Sequence, residues 1–522
     1  MAKEAENKSM EAWIWDAACS IRGAQDATKY KDFILPLIFV KRLCDVFDDE
    51  IDRIAKEVGS REKAFKLVER DKNLVRFYIP FRPENTEEPV WSVIRKLTDK
   101  IGEKLTTLLR DIARENPKLS GIIDRIDFNA TTHGVRDIDD DRLSNLIEKI
   151  SQKRLGLNDV EPDIIGRSYE YLIRKFAEGG GQSAGEFYTP KEVGIIMAKI
   201  MDPEPGMRIY DPCCGSAGLL IKCELVLNEK MKAKGTTKFQ PLKLYGQEFV
   251  PQTWAMANMN MIIHDMEGQI EIGDTFRNPK FREIRNGCDH SLMTFDRVVA
   301  NPMWNQDMFD ERDYDADTFG RFPAGAGFPG KQSADWGWMQ HILASLNDKG
   351  KAAVVLDTGA ASRGSGNANT NKEKEVRKWF VENDYIEGVL YLPENLFYNT
   401  TAPGIVIFLN KNKPADRRNK MLLVNASQEY IKGAPKNYIT DEGIEKIAFT
   451  FLEWKEIDKF SKIVTKEEIA KNDYNISPSR YIHISEEEEY RPIGEIWKEM
   501  KELEEESQTL FACIDEIVKK IL

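Results

Sequence analysis

Between residues 207 and 409, short apolar runs alternate with stretches of helical spacing. This alternation constrains the fold more than any other feature. The runs are 207–210, 243–247, 269–272, 297–300, 352–356, 386–392 and 405–409. Strands that alternate with helices build a mainly parallel sheet with helices on both faces, so the expected class is α/β. Upstream, Trp13, Ile14, Ala17, Ala18 and Ile21 keep helical spacing, and residues 30–54, 97–112, 143–150 and 164–176 extend it. Residues 33–40 read as helix or strand, with length favouring a helix despite Pro36. A chain of 522 residues exceeds one ordinary core and implies about two to four domains. The expected divisions are a helical domain at 1–160, a sheet domain at 161–430, a mixed connecting region at 431–483 and a helical tail at 484–522.

The tail carries the second strong pattern. Ile493, Ile496, Met500, Leu503, Ser507, Leu510, Ile514, Ile517 and Ile521 recur at alternating steps of three and four. That is a heptad seam with one polar interruption, at Ser507. It suits packing on its own domain or docking on a partner coiled coil. The tail is also acidic. The whole chain has 75 Lys and Arg against 87 Asp and Glu, a net charge of −12. Residues 484–522 hold twelve acids and five bases, and residues 305–317 hold six acids and one arginine, so the remainder is neutral on balance. Phosphates are gripped mainly by Lys and Arg, so such a chain is not built to hold nucleic acid alone.

Other classes are disfavoured. The longest apolar run, 33–40, is far below the roughly 20 residues of a membrane span. The N-terminus is charged and mixed in sign, with no signal peptide visible. The seven cysteines are scattered without a CxxC pair, and the five histidines form no HExxH. These read as reduced cytosolic thiols in a cytoplasmic protein with no metal site.

Three motifs carry chemistry. In the first, Arg208-Ile-Tyr-Asp-Pro-Cys-Cys-Gly-Ser-Ala-Gly, a strand runs into a small-residue loop and then a helix. Glycines there let the backbone approach a nucleotide-like ligand at the carboxyl end of the first strand. The loop lacks GxGxxG and GxxxxGK[ST], which disfavours dinucleotide binding and ATP hydrolysis. The second motif is Asn301-Pro302-Met303-Trp304, at another strand end. An aromatic amine is a weak nucleophile because its lone pair is delocalised into the ring. The Asn301 side-chain oxygen and the Pro302 carbonyl can accept its N–H bonds and localise that pair, while Trp304 offers a stacking face. The third is Gly185-Glu-Phe-Tyr-Thr-Pro, where the aromatics can close over a cofactor and Thr189 can cap a helix with Pro190 at its first position. Glu248 ends a strand where cofactor folds place an acid on ribose hydroxyls. Asp274 ends another, with an Asx turn as its local alternative.

In this order the motifs resemble the S-adenosylmethionine-dependent amino-methyltransferases of DNA. More closely, the chain resembles the modification (M) subunit of type I restriction-modification systems. Further matching stretches are Trp15-Asp-Ala-Ala, Lys29-Tyr-Lys-Asp-Phe, Val40-Lys-Arg-Leu, Gly246-Gln-Glu, Met259-Asn-Met, Gly273-Asp-Thr, Ala334-Asp335 with His341, and Leu392-Pro-Glu-Asn-Leu-Phe. The resemblance implies a Rossmann-like methyltransferase sheet of seven strands, the last antiparallel, and transfer of a methyl group to the N6 amine of adenine in DNA. It implies cofactor contacts from Glu186, Phe187, Tyr188, Thr189, Pro190 and Lys191. Asp211, Gly215, Ser216, Ala217 and Gly218 join them, with Glu248 on the ribose and Asp274 near the cofactor's adenine. Asn301, Pro302 and Trp304 take the catalytic positions. A separate specificity (S) subunit is implied to read double-stranded DNA and to join a second copy of the M subunit, two M to one S. A restriction (R) subunit is an optional further member.

The chain departs from the family in three places. Met303 and Trp304 stand where the family usually has proline and then phenylalanine or tyrosine, and Ala217 stands where glycine is common. Asn-Pro-aromatic motifs also serve cytosine N4 and glutamine methylation, so a cytosine-N4 enzyme is an alternative. A non-catalytic scaffold subunit, with Met303 as a mark of decay, is another. The acidic stretch 305–317 admits a solvated loop, an element that repels DNA until a partner arrives, or a cation site.

Overall fold

In the computed structural model, described residues are all except 1–9, 21–26, 161, 180–188, 286–287, 308–316, 332, 368–370, 399, 435, 485–492 and 522. Nine strands form the main sheet: β1 (Arg208–Asp211), β2 (Lys243–Glu248), β3 (Gly268–Ile272), β4 (Phe295–Ala300), β5 (Leu346–Asp357), β6 (Ile386–Tyr391), β7 (Gly404–Asn410), β8 (Lys420–Asn425) and β9 (Ser461–Thr465). All seven residues of β7 are buried, which is why it reads as a continuous apolar run without alternation. The spatial order is β9-β8-β6-β7-β5-β4-β1-β2-β3. β7 is antiparallel to β5 and β6, and β9 is antiparallel to β8. The remaining pairs are parallel.

The expected seven strands are thus corrected to nine. The seven runs read from the sequence are all present, and β8 and β9 extend the sheet beyond β6. The apolar run of β8 is only four residues, Met421 to Val424, and β9 falls in the region read as mixed. That region also forms a helix, Asp441–Leu452.

The helices α1 (Met10–Cys19), α2 (Ala27–Val58), α3 (Arg61–Arg70), α4 (Ile101–Glu115), α5 (Asp140–Ile150) and α6 (Pro162–Gly179) make the N-terminal part mainly helical. Residues 33–40 lie inside α2 with Pro36 in its interior. A mid-helix proline costs about 3 kcal/mol, and complete burial of Leu37, Ile38, Phe39 and Val40 offsets it. Beyond α7 (Lys191–Met201) and α8 (Gly218–Ala233), α9 (Pro251–Ile263) belongs to two cores at once. Its Ala255, Met256, Met259 and Ile263 pack with the helical part. Its Ala257 and Met261 pack with the sheet. Met1–Tyr481 accordingly forms one compact unit.

Ile482–Leu522 forms a second unit. Its helix, Ile493–Ile521, leaves Ile493, Met500, Leu503, Leu510 and Ile514 exposed. Among the described residues no helix is long and apolar enough to cross a membrane.

Chain order reverses about β1, with β2 on one side and β4 on the other. The crevice at the carboxyl ends of strands at such a point is where open α/β sheets bind ligands. The first two motifs sit on those two strand ends.

Candidate active site

The β1 end carries a loop held largely through its backbone. Asp211 is 1% exposed and its carboxylate accepts the Cys213 N–H at 3.0 Å. The Cys214 N–H donates to the Gln247 carbonyl at 3.0 Å, and the Ala217 N–H to the Cys214 carbonyl at 2.7 Å. The turn needs left-handed residues at Gly215 (φ +53°) and Ala217 (φ +63°). Alanine strains there and glycine does not, so the departure at 217 has a conformational cost. A Cβ on Gly215 would meet nothing within 4 Å, so the backbone there faces open space that a ligand can approach.

Two side chains hold the loop from outside. Asn260 Nδ2 donates to the Ser216 carbonyl at 2.9 Å, and the Thr275 hydroxyl to the Pro212 carbonyl at 2.6 Å. Glu248 closes the rim, accepting the Gly215 N–H (3.0 Å) on one oxygen and the Val250 N–H (2.8 Å) on the other. Burial pushes the Asp211 carboxyl up to about 8, against the Cys213 hydrogen bond and with help from the nearby Glu248 charge.

The β4 end is held by side chains. Asn301 and Pro302 are buried, Met303 is exposed and Trp304 is half-buried. Asn301 Nδ2 donates to Thr189 Oγ1 at 3.0 Å, and Trp304 Nε1 donates to Asn301 Oδ1 at 3.2 Å. Trp304 meets Phe397 edge-on, with centroids 4.7 Å apart at 70°. Asn305 follows with φ +53°. Arg363 gathers the surroundings: it donates to Asn305 Oδ1 (3.0 Å), Asp357 (2.8 Å) and Glu373 (2.7 and 3.0 Å), and also to the buried Asp335. These acceptors hold its guanidinium firmly charged.

Thr189, Asp211, Gly215, Ser216, Gly218 and Asn301 line one pocket with Lys222. Glu248 reaches that pocket through Gly215. Ala217, Pro190, Lys191, Pro302, Trp304 and Asp274 are not on its lining. Asp274 makes an Asx turn, accepting the Phe276 (2.8 Å) and Arg277 (3.1 Å) N–H groups. The helix-cap reading of Thr189 is corrected. Pro190 occupies the cap position of α7, no side chain caps it, and the Thr189 hydroxyl serves Asn301. Glu186, Phe187 and Tyr188 lie outside the described residues, as does most of the acidic stretch.

Four contributors had no role assigned from sequence. Asn260 and Thr275 grip the loop, Arg363 grips the catalytic strand end, and Lys222 lies buried beside Gly218. The Lys222 ammonium pairs with both Glu170 oxygens at 3.3 Å. Asn260 and Thr275 lie in the matching stretches Met259-Asn-Met and Gly273-Asp-Thr, and Lys222 had a local signal as a lysine inside the apolar start of α8. The pocket offers a glycine backbone facing open space, a carboxylate at its rim and a buried cation. That set fits a nucleoside with a charged amino-acid arm, as S-adenosylmethionine is.

Residues 160–490 match the family model described as N-6 DNA Methylase, and residues 10–150 match the HsdM N-terminal domain. The chain is 34% identical over 498 residues to the type I restriction enzyme MjaVIII methylase subunit of Methanocaldococcus jannaschii, covering 94% of this chain and 81% of that one. It is 31% identical to the HindI methylase subunit of Haemophilus influenzae, over 79% of this chain and 89% of that one. Among solved structures, the type I restriction-modification methyltransferase subunit of Streptococcus thermophilus aligns with TM-score 0.75 at 26% identity, covering 91% and 99% of the two chains. With the fold, the strand-end loops and these matches in agreement, the chain belongs to the N-6 DNA methylase family, among the methylase subunits of type I restriction-modification systems.

Proposed function

We propose that the protein transfers the methyl group of S-adenosylmethionine to the exocyclic N6 amine of adenine in DNA. It does so as the modification subunit of a type I complex. The observation that carries this reading is the adjacency of Asn301, at the end of β4, to the glycine loop at the end of β1, in one pocket. S-adenosylmethionine, when bound, supplies an electrophilic methyl group on a sulfonium. Thr189, Gly215, Ser216 and Gly218 would hold it, together with Glu186, Phe187, Tyr188, Pro190, Lys191 and Ala217. Glu248, at the rim, would accept the ribose hydroxyls.

The target adenine must leave the duplex stack to reach the crevice. Asn301 Oδ1 and the Pro302 carbonyl then accept its two N–H bonds and draw the nitrogen lone pair out of the ring. Trp304 supports the base. Positioning does the work, and the proton leaves late in transfer, so no strong base is required.

Residues 1–160, 161–430, 431–483 and 484–522 are proposed as helical domain, methyltransferase domain, connector and docking tail. The acidic chain takes its grip on DNA from a specificity subunit that joins two copies of it, with a restriction subunit as a further member. The test is DNA methylated by the chain with its specificity subunit, then digested and analysed by mass spectrometry. N6-methyladenine is expected, and N4-methylcytosine in its place overturns the reading. Asn301→Ala is expected to keep cofactor binding by calorimetry and lose methylation.

A further inference from the structure

We propose that Thr189 and Trp304 are positioning residues that lock the Asn301 carboxamide in one of its two flip states. This rests on the reading above, in which Asn301 Oδ1 accepts from the target amine. A carboxamide turned by half a revolution keeps its shape and exchanges its oxygen for an NH2 group. The flipped form would point donors at an amine that needs an acceptor.

The indole assigns the orientation, and the Thr189 hydroxyl, which accepts as readily as it donates, anchors the NH2 end. An indole N–H only donates, so the atom 3.2 Å from Trp304 Nε1 must be the oxygen. On the other side, Nδ2 donates to the Thr189 hydroxyl oxygen at 3.0 Å. Flipping would set NH2 against the indole N–H, donor against donor. Asn301 is 8% exposed, so water is poorly placed to relieve that clash. A carbonyl oxygen has two lone pairs. Trp304 takes one and leaves one for the substrate.

The seat of Trp304 is shaped for it. Phe397 fixes one edge, and Gly404, which opens β7, makes room. A Cβ on Gly404 would lie 2.8 Å from Phe397 Cε2 and 3.0 Å from Trp304 Cη2. A phenylalanine at 304 would keep a stacking ring and lose the donor. The tryptophan that departs from the family pattern therefore adds a hydrogen bond to a position otherwise read as a platform. Thr189 also closes the cofactor stretch 185–190, so one hydrogen bond ties the cofactor side of the pocket to the catalytic amide.

The test uses the chain in complex with its specificity subunit. Trp304→Phe, Thr189→Val, Thr189→Ser and Asn301→Ala are compared for kcat, KM for DNA, cofactor Kd and melting temperature. Benzothienylalanine, which replaces the indole N–H by sulfur, is placed at 304 as a shape-matched control. Trp304→Phe, the benzothienylalanine protein and Thr189→Val are each expected to lose about 5- to 30-fold in kcat with KM for DNA nearly unchanged, and cofactor Kd is expected to hold in the two proteins altered at 304. Thr189→Ser is expected to restore kcat to within about twofold, because it returns the acceptor. Wild-type kcat in the benzothienylalanine protein and in Thr189→Val, with only melting lowered, overturns the lock and leaves a packing role. Retained methylation by Asn301→Ala is a different result: it overturns the role of Asn301 itself.

Discussion

The two loops that meet at the crevice are held by different means. After β1 the chain is fastened through its own backbone, with Cys214, Gly215 and Ala217 N–H groups all engaged and Asn260 and Thr275 gripping carbonyls. After β4 it is fastened by side chains acting on side chains, with Thr189, Trp304 and Arg363 in turn. The first arrangement makes shape the requirement: the path of the main chain must be kept. The second makes single atoms the requirement, because one donor or acceptor fixes each group. A cofactor of fixed form needs the former, and a base that must be held for reaction needs the latter.

This contrast breaks most sharply at Arg363. Arg363→Ala leaves Asp335 buried without its cation, with Asp357 and Glu373 close by. A loss of about 3–5 kcal/mol is expected in denaturant unfolding, since removing one partner strands a buried charge. Wild-type stability would show that the β4 loop does not depend on its side chains.

Asp211 sharpens the contrast through pH. Its carboxyl stands near 8 in the folded chain against an ordinary 3.8, so the folded state binds the extra proton. The stability this lends is complete below about pH 4 and is lost as pH rises through about 8. Asp211→Asn carries no such charge, so wild type should weaken relative to it across that window, by several kcal/mol. Urea unfolding at a series of pH values checks this, and parallel profiles would refute it.

Asn260→Ala should cost about 1–3 kcal/mol, because the Ser216 carbonyl loses its buried donor. Cofactor affinity should fall with it, as measured by calorimetry. Gly215→Ala gives the smallest effect. The new Cβ meets nothing, so only the left-handed φ is penalised, at roughly 1 kcal/mol. A much larger loss in the absence of cofactor would mean the loop is packed more tightly than its open face indicates.

The same contrast explains what the sequence made legible. The glycine loop and the Asn301-Pro302 pair are contiguous, and each follows an apolar run, so both motif and strand end could be read together. Seven strands were readable because their runs are bounded by helical spacing. β8 and β9 were not, since only a short segment separates β8 from β7, with no α-helix between, and β9 is an edge strand with few apolar residues. Arg363 acts on Asn305, far along the chain, which no local pattern reveals, and Asn260 stood in a matching stretch whose partner at Ser216 the sequence does not show. Thr189 misled for a related reason. A threonine before a proline reads as a helix cap, yet the backbone places Pro190 at the cap and turns the Thr189 hydroxyl to a residue on another strand end.

β1 comes first in the chain among the strands of the main sheet but lies inside it, where Ile209 pairs with both Leu244 and Arg297. Its second neighbour is synthesised only after two more strands of that sheet and the helices between them. Pairing between distant segments is slow because the loop must close before any contact rewards it. The pocket is therefore a late product of folding. A nascent chain on the ribosome gains no protection from ligand until its fourth strand has emerged, and until then one edge of β1 stays open to other partners.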